Sequence, residues 1–226
     1  INLLNENKNK NKNNYFDCIV PISGGKDGSY VTHQLKNKYN MNPLCVTVTP
    51  HTETDLGKEN LKSFTKSNVN HLSINIDYET IRVLNKTGFI EVGFPYYGWL
   101  VAISTAPTVI AKNFGINLIF YGEDGEVEYG GIAKTKDKAI FNTSYQKKIY
   151  LEGGYERVFN QSLIKDHNLY FLKFPINNSI KLTSPSAIKP IRALPLGGKE
   201  AILAKEKAER PIETAKVDAP INISIK

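Results

Sequence analysis

Between Tyr15 and Tyr121 short apolar runs alternate with stretches of helical period, and that alternation leaves the chain few architectures. Three of the runs, Tyr15–Ile22, Leu44–Val48 and Gly115–Tyr121, are apolar almost throughout. A strand with one wet face alternates polar and apolar residues, whereas a near-continuous apolar strand is covered on both faces. A further strand is expected at His71–Ile76. Helices are expected at Gly28–Lys38, Leu56–Ser67, Glu79–Lys86 and Trp99–Phe114. In the first, Val31, Leu35 and Tyr39 stand four apart on one face; in the last, Pro107 marks a kink or a break. Gly88–Gly98 reads as a loop. The order β-α-β-α-β-α-α-β predicts an α/β fold, a doubly wound, mostly parallel sheet with helices on both faces. Ligands of such sheets bind at the carboxyl ends of the strands, near the point where the strand order reverses. The loop Ser23–Ser29, Thr49 and the segment after Tyr121 all fall at such ends.

The rest of the chain is less regular. Residues 1–14 are rich in Asn and Lys and read as a disordered basic arm. The initial Ile suggests that residues precede it. Residues 15–178 form the expected domain, and 179–226 an extension of uncertain structure. Asn142–Leu151 and Tyr155–Ile164 read as short helices joined by Gly153-Gly154, and Asn168–Phe174 as a strand or extended lid. The net charge of +7 suits an anionic partner, or simply a solvated surface with a basic arm. No apolar run reaches the roughly 18–20 residues of a membrane span, so no membrane partner and a cytoplasmic location are expected. Cys18 and Cys45 sit inside apolar runs as small hydrophobes. With no CxxC pair and four scattered histidines, a zinc site would need residues outside this chain.

The loop Ser23-Gly24-Gly25-Lys26-Asp27-Gly28-Ser29 carries the clearest chemistry. Adjacent glycines let backbone approach an anion, and a helix N-terminus aims N–H groups and a positive dipole end at it. A plain β-α turn with Asp27 as helix N-cap is the alternative. The loop is not a Walker A motif, since Asp27 follows Lys26 and Val20 stands where the first glycine would be. It resembles the pyrophosphate-binding loop of the N-type ATP pyrophosphatases, usually Ser-Gly-Gly-x-Asp-Ser. The resemblance implies that Ser23 and Ser29 donate to phosphate and that the N–H groups of Gly24 through Gly28 line the leaving pyrophosphate. Lys26 would add charge and Asp27 would hold Mg²⁺. Gly28 departs from the family, which has serine there. Either Ser29 supplies that hydroxyl or catalysis is weakened.

Four acidic residues, Glu123, Asp124, Glu126 and Glu128, lie within the segment Tyr121–Gly131. Carboxylates at a strand end can bind Mg²⁺ or a substrate hydroxyl or amine, and one can serve as base. A solvated acidic turn is the other reading. The loop Gly93–Trp99, with Tyr96 and Trp99, can stack on a sugar or adenine, or anchor the sheet edge. His51, just past the second strand, would border adenine or ribose, or be an ordinary loop histidine.

Tyr121-Gly122-Glu123 with Glu128-Tyr129-Gly130-Gly131 resembles the N-acetyl sugar amidotransferase family, as do Pro21–Asp27, Thr54-Asp55-Leu56-Gly57 and Glu59-Asn60-Leu61. The resemblance implies an adenine nucleotide alpha hydrolase-like, Rossmann-like fold. It implies an ATP-dependent enzyme, forming AMP and pyrophosphate, that adenylylates the acetamido oxygen of an N-acetyl sugar or sugar nucleotide. Ammonia would then displace AMP to give an acetamidino sugar, in lipopolysaccharide O-antigen or nonulosonate (nonulosonic acid) biosynthesis. Lys26, Asp27, Glu123 and Glu128 are the catalytic candidates. Ser23, Gly24, Gly25, Lys26, Asp27, Gly28, Ser29, Thr49 and Gly122 would hold ATP and Mg²⁺. Tyr96, Trp99, Glu126, Tyr129, Gly130 and Gly131 would hold substrate. A glutaminase subunit supplying ammonia and a cyclase-like companion subunit are the implied partners. A tRNA-modifying enzyme of the same ATP pyrophosphatase group, or a non-catalytic nucleotide-binding module, stays open. Nucleic acid is not expected, because no segment interleaves basic and aromatic residues.

Overall fold

The computed structural model describes residues 4, 6–8, 15–123, 140–176 and 180–183. Among the described residues six strands form one sheet: β1 (Cys18–Pro21), β2 (Pro43–Val48), β3 (Asn70–Ile74), β4 (Leu118–Phe120), β5 (Ile140–Phe141) and β6 (Lys181–Thr183). Their order is β3-β2-β1-β4-β6-β5. All neighbours run parallel except β5, which is antiparallel to β6 at the edge. The chain lays β2 and β3 outward from one side of β1, then returns to set β4 on the other side. The strand order therefore reverses between β1 and β4.

Pro21 shapes that junction. Along a strand, successive residues address alternate neighbours. The Ile22 N–H bonds to the Val46 carbonyl of β2 at 2.9 Å, which turns Pro21 toward β4. Pro21 has no N–H to offer there, and β1 and β4 register at Ile19 with Ile119. In sheets of this kind the crevice that takes ligands lies outside the carboxyl ends of the strands at such a reversal point.

The near-continuous apolar runs are explained by two cores. Ile19, Leu44, Val46 and Ile119 face one, and Cys18, Val20, Cys45, Leu118 and Phe120 face the other. The first is covered by α3 (Tyr78–Val92), α4 (Tyr97–Asn113) and α6 (Tyr155–Ser162). The second is covered by α1 (Lys26–His33), its π-helical continuation Gln34–Lys38, and α2 (Asp55–Thr65). Helices on both faces make the sheet doubly wound, as the sequence predicts. Between β5 and α6, α5 (Thr143–Tyr145) runs into a second π-helical stretch, Gln146–Tyr150.

Several expectations are corrected. The stretch Gly88–Gly98 is not all loop. Asp77 caps α3 by accepting from the Thr80 N–H at 2.8 Å, and the helix continues to Val92 before Gly93 ends it at a φ of 76°. Gly88 sits inside the helix because a Cβ there would overlap Tyr97 of α4. Tyr97 is fully buried, and its hydroxyl donates to the Leu151 carbonyl at 2.8 Å. Pro107 lies within α4 without ending it. Asn168–Phe174 is not a strand, since a 3₁₀ helix spans Asp166–Leu172. Lys181–Thr183 pairs with Leu118–Phe120, so the sheet continues past the boundary expected at residue 178. In the expected disordered arm, Leu4, Glu6, Asn7 and Lys8 are helical, and Leu4 is buried in the second core.

Because Gly88 leaves no room for a side chain, Gly88→Ala is expected to lower the unfolding free energy by about 2–3 kcal/mol. Urea unfolding checks this. An unchanged midpoint would mean that α3 and α4 do not meet at this point.

Candidate functional site

The chain leaves β1 through Ile22 and turns into α1 at Ser23-Gly24-Gly25. Gly24 adopts a φ of 83°, a conformation that side chains rarely take. A Cβ on it would stand 2.8 Å from the Leu61 nitrogen, so the backbone of α2 closes directly over the turn. Gly25 is the N-cap, with φ −76° and ψ 171°, and offers no side chain to the first turn. The helix begins at Lys26, two residues earlier than the sequence suggests, and Asp27 is inside the first turn rather than the cap. Lys26 and Asp27 are exposed, as is Ser23, whose Oγ lies 3.4 Å from where a Gly25 Cβ would be. First-turn N–H groups have no partner within their own helix, and the positive end of the dipole lies there.

Gly122 forms the opposite wall of the crevice. A Cβ on Gly122 would come within 2.5 Å of the Gly28 nitrogen and 2.8 Å of the Asp27 carbonyl carbon. Glycine alone lets the end of β4 lie against the first turn of α1. The two segments singled out from the sequence are thus joined backbone to backbone. Glu123, the next residue, is exposed. Gly28 itself is enclosed, since a Cβ there would meet Ile22 Cγ2 at 3.1 Å and the Pro21 carbonyl oxygen at 3.2 Å.

Ser29 lies inside the first turn of α1. Its hydroxyl donates to the Gly25 carbonyl at 2.7 Å, so its proton is spent inside the helix. In this arrangement Ser29 offers a phosphate no hydroxyl proton in place of the one missing at Gly28. Thr49 stands at the end of β2, but its hydroxyl shares a 2.9 Å hydrogen bond with Ser73 of β3. The His51 Nε2 lies 3.0 Å from the Ile76 carbonyl and its ring packs edge-on against Tyr78, which ties it to the β3–α3 connection. Tyr96 is exposed at the start of α4, and Trp99, in the first turn of that helix, is partly buried against the first core. Glu126, Glu128, Tyr129, Gly130 and Gly131 lie outside the described residues.

Two participants were not foreseen. Leu61 enters the sequence reading through the run Glu59-Asn60-Leu61, and nothing local shows that its nitrogen abuts Gly24. Gln146 read as an ordinary helix position. It is buried, and its Nε2 donates to the Tyr121 hydroxyl at 3.1 Å. Its Oε1 is buried without a partner. Burial pushes the Tyr121 phenol up to about 12, against the Gln146 hydrogen bond, so it stays neutral.

The cysteines supply no nucleophile. Burial pushes Cys45 up to about 11 and Cys18 well above the ordinary thiol value, so both stay protonated near neutrality. Among the described residues no group of three or more His, Cys, Asp or Glu could hold a metal ion. The exposed Asp27 carboxylate could give a magnesium ion one oxygen, and the other ligands would have to come from a bound anion and water. No described helix is long and apolar enough to cross a membrane.

No protein-family model and no curated protein matches the chain. Among solved structures it is similar to a predicted subunit of tRNA methyltransferase from Methanocaldococcus jannaschii, at 16% identity and a TM-score of 0.38. That likeness covers 64% of this chain and 73% of the other. It is likewise similar to NMN synthetase from Francisella tularensis, at 17% identity and a TM-score of 0.38, over 73% of this chain and 70% of the other. Neither likeness carries the fold assignment, which rests on the strand order and pairing described above.

The Gly122 contact makes a direct prediction. Gly122→Ala must push the end of β4 away from α1, so amide hydrogens of Lys26–Ser29 should exchange faster while those of α3 and α4 keep their rates. Unchanged exchange at Lys26–Ser29 would contradict the contact.

Proposed function

We propose that the chain binds ATP·Mg²⁺ in the β1–β4 crevice and is an ATP-pyrophosphatase-type enzyme of the PP-loop group. The observation that carries this reading is the seating of Gly122 on the Asp27–Gly28 peptide. It sets Gly122, with the exposed Glu123 beside it, against the first turn of α1 at the reversal point of a parallel sheet, which supports reading the loop and the β4 end together. The triphosphate would lie along Gly24–Gly28. An acceptor carbonyl oxygen would attack the α-phosphorus, and pyrophosphate would leave into the first turn of α1. There the N–H groups and Lys26 offset its charge, and Asp27 would share the magnesium ion. The nucleophile that then expels AMP would be ammonia, which fits a chain whose two cysteines are buried and protonated.

For the acceptor we infer an N-acetyl sugar or sugar nucleotide, converted to its acetamidino form in O-antigen or nonulosonate biosynthesis. Support for it is the sequence run Tyr121–Gly131 together with Thr54–Gly57. A glutaminase subunit would deliver the ammonia. A second reading, a nucleotide-binding module without turnover, is favoured by one observation. Gly28 has no hydroxyl, and that of Ser29 is held by Gly25.

ATP–pyrophosphate exchange separates these readings, with UDP-N-acetylglucosamine plus ammonium, or tRNA, supplied in turn. Sugar-dependent exchange supports the amidotransferase. Exchange only with tRNA would overturn the sugar acceptor, and binding without exchange would favour the module. Asp27→Ala is expected to lower exchange about 100-fold or more with an unchanged circular dichroism spectrum. Undiminished exchange would remove Asp27 from the site.

A further inference from the structure

Ile22 is the last residue before the loop, and it is held from an unexpected side. Its N–H closes the final rung of β1 on β2, to the Val46 carbonyl. Its carbonyl accepts 2.9 Å from Thr47 Oγ1, a buried hydroxyl on β2. Thr47 lies two residues from Cys45, so both project to the side of the sheet covered by α1 and α2. His71 of β3 stands next in line, with Nε2 2.8 Å from the same Oγ1. A hydroxyl has one proton, and here it goes to Ile22. Thr47 can therefore only accept from His71, which places a proton on Nε2. The three residues form one directed chain from the edge strand, through β2, to the root of the loop.

We propose that Thr47 and His71 are positioning residues for the phosphate loop, a role that rests on the nucleotide reading above. They fix the carbonyl of Ile22, and Ile22 is the floor under Gly28. The Ile22 Cγ2 and Cα lie 3.1 Å and 3.4 Å from where a Gly28 Cβ would be. A shift of Ile22 therefore shifts the first turn of α1, where the leaving phosphates would sit. Packing alone does not call for threonine at this position, because valine has nearly the same shape. What valine lacks is the donor to Ile22 and the acceptor for His71, and a buried polar group left unmet costs more than a hydrogen bond gains.

The test is calorimetric titration of the folded protein with ATP·Mg²⁺ and, separately, with AMP, which lacks the β and γ phosphates. Thr47→Val should weaken ATP·Mg²⁺ about 10-fold and leave AMP within about 2-fold. Thr47→Ser, which restores the hydroxyl, should bind ATP·Mg²⁺ as wild type does. His71→Phe should weaken it about 3-fold, since Thr47 keeps its bond to Ile22 but loses the donor that orients it. Thr47→Val with unchanged ATP·Mg²⁺ affinity would overturn the proposal. So would equal losses for ATP and AMP, because a merely structural residue affects both alike. Should Thr47→Val not fold, His71→Phe decides, and unaltered ATP·Mg²⁺ binding there overturns the proposal. Wild type that binds no ATP·Mg²⁺ would overturn the nucleotide reading itself and this role with it, and that failure shows without any substitution.

Discussion

The end of β4 lies against the first turn of α1 with only glycine between them, and the candidate site depends on that contact. Gly122 and Gly28 are far apart in sequence, and the sheet order brings them together. Pro21 offers β4 no N–H, so β1 and β4 register at Ile19 and Ile119, and the switch-point crevice of such a sheet lies at the carboxyl ends beyond them. Gly122 then closes one side of it and Leu61 of α2 overhangs the turn at Gly24. A side chain at either glycine would have to displace backbone, which cannot yield as a flexible side chain does. The crevice is therefore shaped by main chain, and main-chain N–H groups are well suited to receive an anion.

Charge is arranged around this frame in a simple way. The dipole of α1 and Lys26 favour a negative ligand, while Asp27 in the same turn disfavours one unless a cation accompanies it. A phosphate bound with magnesium satisfies both. Glu123, next to Gly122, adds a second carboxylate to the same end of the sheet. Most nearby hydroxyls are already engaged: Ser29 with Gly25, Thr47 with Ile22, Thr49 with Ser73, and Thr32 with the Gly28 carbonyl at 2.8 Å. These bonds fix the walls of the crevice and leave Ser23 as the exposed serine of the turn.

Much of the frame was legible in the sequence because its causes are local. Val20, Val46 and Phe120 sit in apolar runs, and burial on both faces demands such runs. Gly24 could be expected to turn the chain, since its φ suits glycine. What escaped the sequence depends on partners distant along the chain. Gly88 reads as a helix breaker, yet Tyr97 needs the space it leaves. Ser29 reads as a phosphate donor, yet the Gly25 carbonyl is within its reach once α1 starts at Lys26 rather than Gly28. Lys181–Thr183 is too short to read as a strand, and it becomes one because β4 offers it an unpaired edge. Thr47 and His71 look like ordinary strand residues until β2 and β3 are set beside the end of β1.

We propose one nucleotide site for the Ser23–Ser29 loop and the β4 end. A crystal structure of the protein with a non-hydrolysable ATP analogue and Mg²⁺ tests it most directly. The account predicts the phosphates against the N–H groups of the first turn of α1, the metal ion on Asp27, and Gly122 beside them. Nucleotide bound elsewhere, or phosphates beyond hydrogen-bonding reach of the Gly24–Gly28 backbone, would contradict it.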